Sequence, residues 1–516
     1  MKKQLFLILL SPVILSLGWA PLPTGFLLFA GFIPLFFLEN IAVKRYWLKI
    51  YLSILLWNLF TTFWVWNASP EGCIAMLLSN SLLQLIPFLI YRRVKKNYNL
   101  RFALFSWIVG MLSIEYLHLN WQIAFPWLNL GNGLAGTPQL IQWYEYTGTL
   151  GGALWILLLN SFVFYFLQTK SVKWLYVAIF LVAIPAIISL FIFYNFPFEK
   201  TESHKVAVIQ PNIDPYLKFE NFIPEAEVAN YIKMSEKILD STIEFLLFPE
   251  TGLTQNCNEE KINDAQTYIL LTQWLKKYPN LTLVSGCNTY RIFDSTNKTS
   301  TSRPYNDDKF FDVYNSSITL NDSGVIDIYH KSKLVPGVEK MPYPKIFGFL
   351  EKFAIDLGGI SGSLGEDKNP KVFYSKNHIG VAPLICYESI FGELTGKFVK
   401  KGASAIFVLT NDGWWGNTPG YRQHQYYARL RAIECRRDVV RCTNTGISCR
   451  IDKRGMISNE TQWWMPDAII YEIKPSASLT FYCIYGDYIG YTASWLLILV
   501  FFMILTPKRQ LKKFFN

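Results

Sequence analysis

Charge is scarce in this chain. Asp, Glu, Lys and Arg make up only 17% of its 516 residues, against 51% apolar and 16% aromatic, and the mean hydropathy is +0.20. Soluble domains carry about a quarter charged residues, so part of the chain is expected in lipid. Its length also exceeds what one core supports. Histidine is rarer still: His118, His204, His330, His378 and His424 are scattered without ligand spacing, so no metal site is expected. The eight cysteines include no Cys-x-x-Cys pair, which leaves a zinc site or disulfide framework unsupported. There is no internal repeat and no low-complexity segment. Gly358-Gly359-Ile360-Ser361-Gly362 lacks the strand-to-helix setting of a nucleotide loop and reads as a flexible loop, so no cofactor is expected.

The missing charges are concentrated at the N-terminal side. Gln4 to Leu38 contains none and is broken by Pro21-Leu22-Pro23-Thr24-Gly25, the pattern of two spans joined by a tight turn. Lys2-Lys3 before an apolar run is also how a signal peptide begins, but a second uncharged run follows at once, which favours a retained anchor. Further apolar stretches lie at 50–68, 73–91, 102–118, 149–168, 174–195 and 488–507, with Glu115 their one charge. Each is near the about 20 residues a membrane-crossing helix needs, giving eight candidate spans.

Basic residues occupy only alternate connections: Lys2, Lys3; Lys44, Arg45, Lys49; Arg92, Arg93, Lys95, Lys96, Arg101; Lys170, Lys173; and Lys508, Arg509, Lys512, Lys513. The connections at 20–24, 69–72 and 119–148 contain none. By the positive-inside rule both termini are expected in the cytoplasm, and by parity the long segment before the last span lies outside. Most of the net charge of +11 is then topological, which argues against a nucleic-acid partner.

That segment, 204–476, has another texture. Short β-rich runs (Lys205–Gln210, Phe245–Phe248, Thr282–Gly286, Ile379–Ile385, Ala403–Leu409) alternate with helix-compatible stretches, clearest at Glu225–Leu239 and Tyr421–Arg437, where apolar residues recur every three or four positions. Such alternation predicts an α/β domain. The expected layout is a membrane domain over 1–198, the α/β domain over 204–476, an eighth span within 484–507 and a basic tail at 508–516.

Three segments bring a reactive group to a strand end. Leu246-Leu247-Phe248-Pro249-Glu250 runs an apolar strand into a proline, which stops pairing and delivers a carboxylate. Tyr329-His330-Lys331-Ser332-Lys333-Leu334-Val335-Pro336-Gly337-Val338-Glu339 sets a lysine and a glutamate eight residues apart across a Pro-Gly turn. Gly380-Val381-Ala382-Pro383-Leu384-Ile385-Cys386-Tyr387-Glu388 ends a buried-looking strand in cysteine. Alone, each is an ordinary loop carboxylate, a solvated charged loop and an inert core thiol. Together they supply what a thiol needs to act as a nucleophile, a base (Glu250) and a nearby cation (Lys331). Lys331 and the backbone N–H of Tyr387 could also stabilise an oxyanion.

This order, Pro-Glu, then Tyr-x-Lys-x-x-Leu-Val-Pro, then Ile-Cys-Tyr-Glu, resembles the Glu-Lys-Cys triad of the nitrilase superfamily. With eight spans and Thr410-Asn411-Asp412-Gly413-Trp414-Trp415 downstream, the chain is similar over nearly its whole length to the bacterial apolipoprotein N-acyltransferases. Phe125-Pro126-Trp127-Leu128 resembles that family's motif in the outer loop before span six. The resemblance implies an α/β/β/α sandwich on eight transmembrane helices, in a bacterial inner membrane with the catalytic domain in the periplasm. It implies Glu250 as base, Lys331 as oxyanion stabiliser and Cys386 as nucleophile, supported by Glu339, Tyr387 and Glu388. The implied donor is a glycerophospholipid and the acceptor the N-terminal amine of a diacylated apolipoprotein.

Three positions depart from the family pattern: Phe248 where tryptophan often precedes Pro-Glu, Phe219 where a tryptophan is expected after the first strand, and Val335-Pro336-Gly337-Val338-Glu339 in place of Val-Pro-Phe-Gly-Glu. Phe219, Trp414 and Trp415 are candidate substrate contacts. Phe347 and Phe349, in the apolar stretch 341–350, are candidate lid residues that keep water from an acyl-enzyme. A membrane-tethered amidase would use the same triad without needing eight spans. A transporter or scaffold would leave the triad unexplained, with Glu115 as its one intramembrane charge.

Overall fold

The computed structural model describes residues 2–41, 44–197, 201–218, 223–347 and 363–505. It divides into two units, Met1–Phe196 with Tyr485–Asn516, and Pro197–Ile484.

The first unit is helical at every apolar stretch. Among the described residues, five helices are long and apolar enough to cross a membrane by length and composition: Pro70–Asn97, Leu100–Asn120, Tyr144–Thr169, Val172–Tyr194 and Tyr488–Leu505. The remaining three of the eight expected spans are shorter. Lys2–Leu17 has 16 residues and Tyr46–Thr62 has 17, each about 25 Å at roughly 1.5 Å per residue. The third is a 3₁₀ turn, Gly25–Ala30, followed by the nine-residue helix Ile33–Ile41. The stretch read as 50–68 stops at Thr62, because the chain turns there into the separate four-residue helix Val65–Ala68.

Several buried side chains of this unit find backbone or side-chain partners, as an apolar surround favours. Asn160 accepts from the N–H of Phe32 at 2.9 Å and donates to the carbonyls of Leu28 (2.8 Å) and Ile156 (2.9 Å). Asn58 donates to Gln84 at 2.8 Å. Glu115 accepts from the N–H of Leu130 at 3.0 Å, so this buried carboxyl group anchors the connection 121–143. In that connection Pro126–Leu128 forms a buried 3₁₀ turn, with Trp127 against Trp64 at 4.7 Å.

Contacts also gather the basic residues at one end of the unit. Gln4 binds the carbonyl of Ile41 and accepts from Lys49, Lys95 pairs with Glu39 and Asn40, Arg101 donates to Tyr165, and Tyr98 reaches the carbonyl of Met503. Arg92, Arg93, Lys95 and Lys96 are not in a loop, as their sequence position suggests, but on the last turns of Pro70–Asn97. Cations are favoured at a helix C-terminus, and their long stems can lie along apolar surface while the charge reaches water.

Among the described residues of the second unit, the strands that frame the site are β1 (His204–Gln210), β2 (Ile243–Leu247), β3 (Thr282–Asp294), β4 (Lys309–Asn321), β5 (Gly324–His330), β6 (Gly380–Ile385), β7 (Ala405–Thr410), β8 (Val439–Thr443), β9 (Cys449–Ile451) and β10 (Asp467–Ile473). One sheet runs β10-β1-β2-β3-β4, with β5 on β4. The other runs β9-β8-β7-β6. β1-β2-β3 and β6-β7-β8 are parallel, and β2, β6, β7 and β8 are buried along their whole length. Continuous apolar runs such as Gly380–Ile385 suit strands covered on both faces.

The sheets pack face to face. Phe245 meets Phe407 edge-on at 5.1 Å, and Gln210 Oε1 accepts from Thr443, Ser448 and Thr461, each at 2.8 Å. Helices Pro224–Ser235 and Gln266–Leu275 cover the first sheet through Tyr231, Tyr268, Leu271 and Leu275. Gly392–Lys400 and Pro419–Cys435 pack on the second. The layers are therefore α/β/β/α, and the C-terminal ends of β2, β6, β7 and β8 are where side chains are free to converge.

Candidate active site

Glu250 is delivered by a turn that proline starts and a glycine admits. Phe248 still pairs with Val284 (3.0 Å), but Pro249 has no N–H to continue the ladder, and its carbonyl accepts from Gly252 (2.9 Å) and Gly286 (3.1 Å). Thr251 follows with φ of 46°, strained for a β-branched residue. A Cβ on Gly286 would lie 2.6 Å from Glu250 Cα and from Thr251 N, so only glycine fits. Lys218 is buried under this turn and donates to the Glu250 carbonyl (3.4 Å) and to Thr251 Oγ1 (3.2 Å). Burial pushes its ammonium down to about 8, against the opposing pull of Glu227 and Glu250.

Lys331 is the first residue after β5, with its N–H on the Asn315 carbonyl at 2.9 Å. Its Nζ lies 3.2 Å from Glu250 Oε1 and 2.8 Å from Glu339 Oε1. Asn315 Nδ2 donates to the same two oxygens at 2.9 and 3.0 Å. Asn411 N–H holds Glu250 Oε2 at 3.2 Å, and Val335 N–H holds Glu339 Oε2 at 2.7 Å. Burial opposes the Lys331 charge, but Glu339 and Glu250 more than offset it and keep the ammonium above the usual lysine range.

Cys386 follows β6 directly, with φ of 49°, at the start of the 3₁₀ turn Cys386–Ile390. All eight cysteines are free, and Cys386 is the one not fully buried. Desolvation of the sulfur and the Glu250 charge push its thiol well above the ordinary range, against the opposing pull of Lys331. Glu388 is fully buried and joins two strand ends. Its Oε1 accepts from Tyr329 OH (2.6 Å), Ser332 N–H (2.7 Å) and Ser332 Oγ (2.9 Å), and its Oε2 from Ile385 N–H (2.8 Å). Tyr387 is buried beside Phe391, ring centroids 5.3 Å apart.

The structure thus brings Glu250, Lys331 and Glu339 into direct contact, with Cys386 within their electrostatic reach. Trp414 and Trp415 are half-buried on the turn after β7, Trp414 edge-on to Tyr216 at 5.0 Å and Trp415 to His424 at 5.4 Å. Phe347 ends the short helix Pro344–Phe347. Phe219, Phe349 and the glycine-rich 358–362 lie outside the described residues. Asn315, Asn411 and Lys218 carry hydrogen bonds at the site that the sequence reading did not foresee. Asn411 stood in the motif after β7, but nothing local marks Asn315 or Lys218.

Residues 205–479 match the carbon-nitrogen hydrolase family. The chain belongs to that family. Residues 11–162 match the apolipoprotein N-acyltransferase N-terminal domain, which puts it among the apolipoprotein N-acyltransferases of the family. It is 28% identical over 504 residues to the apolipoprotein N-acyltransferase of Chlorobaculum tepidum, covering 94% of each chain. Against the Thermotoga maritima apolipoprotein N-acyltransferase it is 26% identical over 511 residues, covering 95% of this chain and 91% of the relative.

Two outcomes follow from the geometry. Gly286→Ala should destabilise the sandwich by about 1–3 kcal/mol through overpacking; an unchanged melting temperature would contradict the close approach. His330, next to Lys331, bridges Glu259 (2.6 Å) and Asp367 (3.2 Å). Burial opposes its charge, but Asp367 and Glu259 outweigh burial and raise it above the ordinary histidine range. Its stabilisation is then complete below about pH 6.5 and is lost as pH rises through the higher folded value. Amide exchange around Asp367 should quicken with pH beyond the intrinsic base-catalysed increase, and the excess should vanish in His330→Gln.

Proposed function

We propose that the chain transfers a fatty-acyl group from a glycerophospholipid to the N-terminal amine of a diacylglyceryl-modified lipoprotein, through a thioester on Cys386. One observation carries this reading. A cysteine at a strand end shares a site with a glutamate and a buried lysine, in a chain whose N-terminal part matches the apolipoprotein N-acyltransferase N-terminal domain.

In the first half-reaction Glu250 takes the thiol proton as sulfur attacks the ester carbonyl. A positioned base of this kind removes the proton that the thiol must lose for sulfur to attack. Lys331 and the Tyr387 N–H stabilise the oxyanion. The C–O bond breaks, Glu250 returns the proton to the leaving alkoxide, and a lysophospholipid departs. In the second half-reaction the amine attacks the thioester, a C–N bond forms, the C–S bond breaks, and Glu250 passes a proton from nitrogen to the sulfur. Glu339 holds Lys331, and Glu388 keeps the two strand ends in register.

Incubation with phospholipid should leave a fatty-acyl mass on Cys386 that a diacylated lipopeptide discharges. Glu250→Gln should slow acylation roughly 10²–10⁴-fold, Lys331→Met about 10²–10³-fold, and Cys386→Ala should abolish it. No adduct in the wild type, with lipopeptide acylation surviving in Cys386→Ala, would refute the reading. Ammonia release from small amides without lipopeptide acylation would favour an amidase.

We further propose eight crossings of an inner membrane, with the basic end of the helical unit and both termini in the cytoplasm and the sandwich in the periplasm. The distribution of Lys and Arg supports this orientation. Single cysteines introduced at Asn97 and at Asp294 should react with a membrane-impermeant maleimide in intact spheroplasts only at Asp294; labelling at Asn97 alone would invert the topology.

A further inference from the structure

A second group of buried polar residues lies behind the nucleophile. The carbonyl of Cys386 accepts from Ser389 Oγ at 2.8 Å and has His424 Nε2 3.2 Å away. Ser389 Oγ and His424 Nε2 are 2.9 Å apart, and His424 Nδ1 lies 2.9 Å from Asp412 Oδ1. Thr410 Oγ1 donates to Asp412 Oδ1 at 3.0 Å, and Arg441 Nη2 to Asp412 Oδ2 at 2.8 Å. Ser389, His424 and Arg441 are fully buried, and Asp412 is 1% exposed.

The sequence of contacts is that of a hydrolytic serine triad, yet the burial excludes that use. A serine at zero exposure cannot meet a substrate carbonyl, and its hydroxyl is engaged with the Cys386 carbonyl. What the group touches is the peptide of the nucleophile, whose φ of 49° is unfavourable for a side chain with a Cβ and persists only where surroundings over-determine it. The same loop also reaches the base, because Asn411, the neighbour of Asp412, gives its N–H to Glu250.

We infer that Asp412, His424 and Ser389 form a positioning array for acyl transfer: they fix the Cys386 peptide in its left-handed conformation and tie it to the loop that orients Glu250. His424 lies between Asp412 at Nδ1 and Ser389 with the Cys386 carbonyl at Nε2, and the hydroxyl of Ser389 closes the array by donating to that carbonyl. None of the three touches substrate. This inference rests on Cys386 being the nucleophile.

The test uses the full-length chain in phospholipid vesicles, with His424→Phe, Asp412→Asn and Ser389→Ala. Initial rates of thioester formation at varied lipid should show a 10- to 100-fold lower kcat with KM unchanged. The double variant His424→Phe/Ser389→Ala should be no slower than His424→Phe, as expected of residues that act as a unit. Alkylation of Cys386 by iodoacetamide should change in rate in the same variants at unchanged melting temperature. If His424→Phe does not fold, Ser389→Ala and Asp412→Asn carry the same comparison. Normal kcat and alkylation in folded variants would overturn the inference, as would a loss confined to KM. A wild type that never forms the thioester would overturn the reading of Cys386 instead, and the alkylation rates would still judge the array. Ester hydrolysis persisting in Cys386→Ala and lost in Ser389→Ala would mark a serine triad and overturn it as well.

Discussion

A buried ammonium organises the catalytic unit. Lys331 is 1% exposed, and an unpaired charge at that depth costs several kcal/mol. Glu250 and Glu339 make it tolerable, and in turn these two carboxylates, sharing one donor pair in Lys331 and Asn315, would repel each other without the cation between them. The charge balance is therefore also a geometric constraint. The turn after β2, the middle of β4, the end of β5 and the loop to Glu339 must all arrive in register before any of the three charges is satisfied.

A second buried carboxylate extends the constraint to Cys386. Glu388 has no contact with Glu250, yet its four accepted hydrogen bonds bind the residue after Lys331 to the residue before Cys386. Glu250, Lys331 and Cys386 are thus carried on strand ends braced by the buried polar groups Asn315 and Glu388. Sites set on rigid elements and braced in this way keep their geometry better than sites on free loops.

Much of this was legible in the sequence. The apolar runs into Glu250 and Cys386 have a local signal, because a continuous hydrophobic strand ending in a reactive residue differs from both core and loop. β4 was not legible as a strand. Its centre reads Asn315-Ser316-Ser317-Ile318-Thr319 and is buried throughout, so neither alternation nor hydrophobicity announces it. Asn315 was missed for the same reason, since its value lies in partners 65 and 24 residues away. The span lengths were misjudged at Thr62, where a turn interrupts an uninterrupted apolar composition. Hydropathy reports the solvent of a segment and not where its helix stops.

The distances along the chain between site partners have a consequence for biogenesis. Glu250 meets Asn315, Lys331 and Asn411 across 65, 81 and 161 residues, and contacts of such separation close late because loop entropy must be overcome first. β7 and its following turn, which supply Asn411, come from the last third of the sandwich. Until that part docks, the emerging chain carries Cys386 without the hydrogen bond that holds Glu250 Oε2. On the mechanism proposed above, reactivity toward acyl esters then begins only with the finished fold.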